Sequence, residues 1–392
     1  MKKLSLIVLL LLTITIVNAQ SSKVNSAYAS YNHATKDLQS GDIEAAVKSL
    51  TEAATYIEPT ITDSKTMVKS KTWRYRGNIY SMIAGIEAMD SDYPDATDKA
   101  IESYNKAMEL DTKGSYKDEI TQSIVAMYNA GLNEGIEAYS AQDYEKAIGY
   151  FQTNIELYKI IGMVDTMGIY NTAISADLGG QTDIAIENFK KCAEMGYEAE
   201  YSYNKIIVLL NDQEKYDEAL EISKVARQEF PQSQGIIIAQ LNVYLNADKY
   251  EEAEKDLEQA ANENPNDANM WLALGVVKEN LEKSEEAAAA YEKSLAIDPD
   301  FFNSNMNLAI LYFSKASDMI NAANEIPVNE IEKYEQAKDE AMVVLKKAVP
   351  YFEKSNELKP GNKNVLLDLK EAYGQLNDTE NYTRIKEILD NL

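Results

Sequence analysis

Small and aromatic residues recur along this chain at two spacings. Over short distances an alanine is followed four residues later by an aromatic, as in Ala100/Tyr104, Ala147/Phe151, Ala185/Phe189, Ala287/Tyr291 and Ala348/Phe352. Leu takes the aromatic slot at Ala46/Leu50 and Ala253/Leu257. A spacing of four places both side chains on one face of a helix. Over longer distances Ala185, Ala219, Ala253 and Ala287 stand 34 residues apart, and Pro231, Pro265 and Pro299 keep the same step. Proline ends a helix and sets a turn, so each step predicts a helix, a turn, a second helix and a stop. The small alanine lets the second helix approach the first closely, and the aromatic fills space between units. Ala219 is followed by Ser223, so a looser interface is expected there.

Anchors at Ala46, Ala100, Ala147, Ala185, Ala219, Ala253, Ala287 and Ala348, with a divergent stretch at 363–392 where Tyr382 stands for alanine, predict nine helix-turn-helix units. Divergence at the end suits a cap. Two stretches exceed the step, one near 90–97 and a longer one at 314–347. Within the second, Ser314–Ala323 and Glu330–Lys347 have helical patterns and Pro327 breaks them, so two overlong helices protruding from the array are expected. The N-terminus follows another rule. Lys2 and Lys3 precede the charge-free run Leu4–Val17, and Val17-Asn18-Ala19 offers a cleavage site. Residues 1–19 are therefore expected to be a signal peptide, cleaved before Gln20. The run is shorter than the roughly 20 residues a membrane span needs. An uncleaved anchor is the rival reading. The expected product is one array over 20–392, soluble, exported, and periplasmic or secreted.

The most regular unit contains Trp271-Leu272-Ala273-Leu274-Gly275, then Ala287, Tyr291 and Pro299. The other tryptophan repeats the start of that pattern, as Trp73 through Gly77. This resembles the tetratricopeptide repeat, W-x₂-L-G followed by A-x₃-aromatic and P. The resemblance implies an all-α fold, a right-handed superhelical solenoid of about nine units whose first helices line a concave groove. Groove positions by that resemblance are Tyr170, Asn171, Ile174, Tyr201, Asn204, Lys205, Val208, Ile238, Asn242, Leu245 and Asn246. Farther along they are Asn269, Leu272, Val276, Asn280, Asn303, Met306, Ile310 and Phe313. Asparagine is a mediocre helix former whose amide can donate to and accept from a peptide backbone. The plainer alternative is a set of solvated polar positions. Some family members hold a peptide carboxylate in a Lys/Asn/Arg clamp. Asn171 and Lys205 match two of its places, but Tyr201 stands where a lysine is required.

Composition narrows the chemistry. With 38 Lys+Arg against 64 Asp+Glu and a net charge of −26, the chain lacks the basic clusters that nucleic acid demands. A neutral or basic protein or peptide partner is expected. One His (His33) and one Cys (Cys192) leave no base–nucleophile pair, no intrachain disulfide and no His/Cys metal site. Cys192 falls on a packing face and is expected to be a buried thiol. The run Asp90 to Asp95 lacks the glycine of a calcium loop and has Ile101 where its last carboxylate belongs, so it is expected to be a solvated turn and helix cap. Gly179-Gly180 is expected to end a helix rather than cradle phosphate. No catalytic residue, metal or cofactor is expected. The expected role is a non-enzymatic scaffold of the periplasm or cell envelope. A chaperone-like assembly factor is the second reading, and an enzyme with its site in 314–347 the third.

Overall fold

A computed structural model describes residues 20–392 in full; the expected signal peptide, residues 1–19, lies outside the described residues. The described chain is all α-helix with two short 3-10 turns and no strand. Its contacts group it into two compact units, Met1–Tyr197 and Glu198–Leu392. The first contains α1 (Lys2–Ser40), α2 (Ile43–Ile57), α3 (Ser70–Ile83), α4 (Ala96–Leu110), α5 (Lys117–Ser140), α6 (Tyr144–Ile160), α7 (Thr166–Leu178) and α8 (Thr182–Glu194). The second contains α9 (Ala199–Asp212), α10 (Tyr216–Glu229), α11 (Gln234–Asn246), α12 (Tyr250–Glu263), α13 (Ala268–Asn280) and α14 (Ser284–Ile297). It ends with α15 (Phe302–Asn324), α16 (Ile331–Leu358), α17 (Lys363–Gln375) and α18 (Thr379–Asp390). Odd and even helices pair along the chain as hairpins. No described helix is long and apolar enough to cross a membrane.

Seven of the hairpin turns share one backbone device. Gly41, Gln142, Gly180, Glu214, Asp248, Glu282 and Asn377 all have positive φ, between 54° and 81°. Each sits between the first and second helix of its hairpin. The following amide reaches back to a carbonyl five residues earlier, as in Lys215 N to Leu210 O (2.9 Å) and Lys283 N to Lys278 O (2.9 Å). This is the Schellman arrangement, which normally recruits glycine because an L-residue there costs about 1–2 kcal/mol. Exposed Glu282 carries that strain at φ 58°. Glu282→Gly should therefore raise stability by about 0.5–1 kcal/mol, net of the added unfolded-chain entropy. Chemical denaturation measures it, and a loss of stability would show that the turn is not strained.

The tryptophan slot also has a mechanical role. Trp271 Nε1 donates to Pro265 O (3.0 Å) and Trp73 Nε1 to Met67 O (2.7 Å). Each bond clips a first helix to the turn that precedes it. Asn305, 34 residues after Trp271, makes the same bond to Pro299 O (3.0 Å). The alanine anchors from Ala46 to Ala348 are fully buried. The looser packing expected at Ser223 is absent: Ala219 and Ser223 are fully buried, and Ser223 Oγ donates to Leu220 O (2.8 Å). Ile207, also fully buried, stands 34 residues after Ala173 and 68 before Gly275, so the first helix carries a larger side chain at this place in the repeat.

The long stretches are integrated rather than loose. After α3 a 3-10 turn, Glu87–Met89, buries Met89, and Tyr93 packs edge-on to Tyr80 at 6.2 Å. Two apolar anchors thus hold a segment that its carboxylates suggested was merely a solvated turn. Asp95 does not cap α4; it pairs with Lys99 at 2.9 Å instead. The overrun of α15 and α16 does not simply protrude. Ala316, Leu345 and Ala372 form a buried cluster with Met342, Val349 and Leu376, which seats the overrun on α17. Its tip is bare, with Val328 92% exposed, and Ile331 and Val343 on α16 are exposed as well.

Candidate functional site

Within the second unit the first helices α9, α11, α13 and α15 touch in succession, so their outward residues form one continuous face. Residues 34 apart are equivalent on it. Val208, Asn242, Val276 and Ile310 make one row, with Val208 and Ile310 about two-fifths exposed and Val276 half-buried. Ile238 and Tyr201 are also exposed. Asn242 and Asn303 are exposed, while other asparagines are engaged by the fold. Asn246 Nδ2 donates to Asn211 Oδ1 across α11 and α9 (3.2 Å), and Asn280 Nδ2 donates to Val276 O (2.8 Å). Asn204 leans over Gly235, its amide nitrogen 3.1 Å from where a Cβ would stand.

Several expected groove residues prove structural. Leu272 is buried in a cluster with Ala287, Tyr291 and Leu308, so it offers no surface. Met306 and Phe313 are half-buried against the core of α16 and α17, where Phe313 meets Phe352 edge-on at 6.0 Å. In the first unit Tyr170 packs edge-on to Tyr197 (5.6 Å) and Phe189 (6.5 Å), and Asn171 beside it is half-buried. Lys205 lies 5.8 Å from the centre of the Tyr201 ring.

The first unit differs at α3, whose face is closed by the protein itself. Arg74 is sandwiched between the rings of Tyr75 (4.5 Å) and Tyr116 (4.3 Å) and is paired with Glu119, which also accepts from Asn78 Nδ2 (2.9 Å). Tyr28 stacks on Tyr75, with 4.2 Å between the ring centres. Arg76 is buried and bound by Glu58 (2.8 Å), Glu102 (2.6 Å) and Ser103 Oγ (2.8 Å). Burial works against its charge, but Glu58 and Glu102 hold the guanidinium above its ordinary range. The next first helix, α5, exposes Val125, Ile136, Asn129 and Asn133, a further aliphatic and asparagine face. Sequence reading missed it because α5 has Gly131 in the tryptophan slot; Gly135, closed against Phe151, was the available signal.

Charge is sorted between the two helix sets. Helix α11 has no charged residue, and α15 has none before Lys315. Helices α10, α12 and α14 each open with two acidic residues in their first turn. On α13, Glu279 accepts from Tyr291 Oη (2.8 Å). Lys278 is buried among Glu254 (3.0 Å), Glu258 (2.9 Å) and Glu286 (2.6 Å). The three carboxylates lie within 4.8 Å of one another, and the ammonium group stands among them.

The candidates for chemistry stay apart. His33 is exposed on α1. Cys192 is fully buried, and burial pushes its thiol up to about 11, leaving it protonated at neutral pH. An open cleft beside α1 and α3 is lined by Leu38, Ile43, Ser81, Met82, Ile86 and Glu87, without a nucleophile–base pair.

The family model described as tetratricopeptide repeat matches residues 238–300. No curated protein matches the sequence. Among solved structures, the chain is similar to a TPR repeats protein from Bacteroides fragilis, 19% identical over 63% of this chain and 98% of that one, TM-score 0.35. It is also similar to PilF of Pseudomonas aeruginosa (16% identity, 58% and 90% of the two chains, TM-score 0.39). A third likeness is to MamA from Desulfovibrio magneticus (18% identity, 51% and 98%, TM-score 0.33). The family match falls on α11 to α14, the hairpins that contain the Trp271 clip, the Gly275–Tyr291 contact and the left-handed turns of Asp248 and Glu282, and over that segment the chain matches the tetratricopeptide repeat.

Proposed function

We propose that this protein is a non-enzymatic interaction scaffold which holds a polypeptide partner against the first-helix face of α9, α11, α13 and α15. Its fold is that of protein–protein interaction scaffolds. The observation that supports the particular face is the row Val208, Asn242, Val276 and Ile310 at 34-residue intervals, exposed at Val208 and Ile310 and half-buried at Val276, with exposed Ile238 beside it, on helices from which charge is largely withdrawn. Apolar side chains left in water on one face gain free energy when a partner covers them. Expected groove residues on this face are Tyr201, Asn204, Lys205, Ile238, Asn242, Val276, Asn280 and Asn303, with Tyr170 and Asn171 extending the set in sequence. The scaffold works outside the cytoplasm, exported by the leader 1–19 and processed before Gln20.

A second reading, a factor that transiently holds other exported proteins, is favoured by one observation. Met163, Val164, Met167 and Met195 are all exposed in the first unit, and methionine adapts to varied apolar partners. A photo-crosslinking residue placed at Ile238 or Ile310 in the native host should capture the partner, and one at Val225 on α10 should not. Capture from Val343 on the α15–α16 overrun alone would move recognition to that overrun and defeat the groove reading. Capture of one discrete species supports a scaffold; a broad mixture supports the holding role.

A further inference from the structure

Resting on that reading of the face, we infer that its occupant is an uncharged amphipathic helix whose register is set by Asn242. The row Val208, Asn242, Val276, Ile310 repeats once per hairpin, and Asn242 alone interrupts a run of β-branched aliphatic residues. It is exposed, and Ile238 one turn earlier on α11 is exposed too. An apolar partner residue seated there would desolvate the Asn242 amide without supplying a hydrogen bond, while a polar one would satisfy it.

The spacing selects the partner's conformation. Packed helices lie about 8–10 Å apart, so the row advances by about that distance per hairpin. Seven residues of an α-helix rise about 10.5 Å, so positions i, i+7, i+14 and i+21 of one helix meet the four residues in turn. An extended strand would cover each step with about three residues, and an odd step turns alternate side chains away from the face. Charge selects composition. Of the residues on this face in α9 to α15, only Lys205, Asp212 and Glu279 are charged; Glu279 is engaged by Tyr291, and the other two lie on α9. The paired acidic first turns of this unit belong to the second helices α10, α12 and α14, so they neither recruit nor orient the occupant at the row itself. A lone polar residue in an apolar seam is how coiled coils fix register.

The test uses the purified chain and synthetic peptides of about four heptads with a glutamine-rich outer face. One has Leu at i, i+14 and i+21 and Asn at i+7, and its counterpart has Leu at all four. The Asn peptide should bind about tenfold more tightly in fluorescence anisotropy, and Asn242→Val should reverse that preference. Affinity should change little between low and physiological salt. Val208→Asp and Ile310→Asp, both at exposed positions, should each weaken both peptides at least tenfold, with the circular dichroism melt unchanged. The inference is overturned if Asn242→Val keeps the wild-type preference, if a proline-interrupted Asn peptide binds as well, or if neither peptide binds the wild-type chain. Peptide binding that survives both aspartate substitutions overturns the groove reading itself. Loss through those substitutions with no response at Asn242 overturns only the register.

Discussion

Lys278→Met should cost about 2–3 kcal/mol at neutral pH, with the penalty shrinking as the solution is acidified. Lys278 ties three helices, since Glu254 and Glu258 come from α12 and Glu286 from α14. Burial tends to lower its pKa, but the hydrogen bonds to Glu286, Glu258 and Glu254 outweigh that and hold the ammonium above its ordinary range. Removing one partner of a buried ion pair typically costs 3–5 kcal/mol. Here the Glu258 and Glu286 side chains are half exposed, so water screens part of that. The sign of the pH effect follows from the carboxylates. In the wild-type chain Glu254 is held below its ordinary 4.5, first by the Lys283 hydrogen bond, against burial, and then by Lys278. Its contribution is therefore present above that value and lost as pH falls through the folded pKa. Without Lys278 the three carboxylates repel one another and Glu254 loses one of its two cationic partners, so acidification relieves the variant while the wild-type chain loses stability. Urea melts at pH 7 and pH 4.5 should show the gap narrowing; a constant gap would mean that the ammonium group acts by packing alone.

Gly275→Ala should be comparably damaging even though alanine is the better helix former by about 1 kcal/mol. A Cβ at Gly275 would stand 2.4 Å from Cε1 and 2.5 Å from Cδ1 of Tyr291. That ring is fully buried and its hydroxyl donates to Glu279, so it has nowhere to swing. Overpacking of this kind costs about 1–3 kcal/mol, and the severity of the clash places it at the upper end. The same pairing recurs as Gly77 with Tyr104 and Gly135 with Phe151, each at 2.6 Å. The decisive measurement is a double-mutant cycle. Tyr291→Leu is destabilising alone, but it should cost far less in the Gly275→Ala background, because the clash disappears with the ring. Additive losses would show that glycine is there for some reason other than the ring.

Much of this architecture was legible because it rests on local, repeated chemistry. A 34-residue step of Ala, aromatic and Pro can be satisfied only by a hairpin whose second helix is close, filled and then stopped. The overlong α15 and α16 were visible for the same reason, with Pro327 marking their break. The seating of that overrun on α17 was not, because Leu345 and Ala372 belong to no repeated slot. The left-handed turns were legible only where glycine stands, at Gly41 and Gly180. At Gln142, Glu214, Asp248 and Glu282 the local preference runs the other way, and hairpin closure imposes the conformation.

The candidate face was half legible. Its positions follow from the repeat, but exposure depends on what neighbouring helices cover. Leu272 and Asn242 look alike in the repeat, as outward residues of consecutive first helices, yet packing buries one and leaves the other in water. Likewise a net charge of −26 says nothing of where the charge lies. The pattern along the chain determined helix, hairpin, repeat and anchor, since each depends on side chains within a few dozen residues of one another. Which arginine is sandwiched, which lysine is caged and which asparagine stays bare were decided only when the helices packed. Burial and ion pairing are properties of neighbours in space, and the 34-residue step does not specify them.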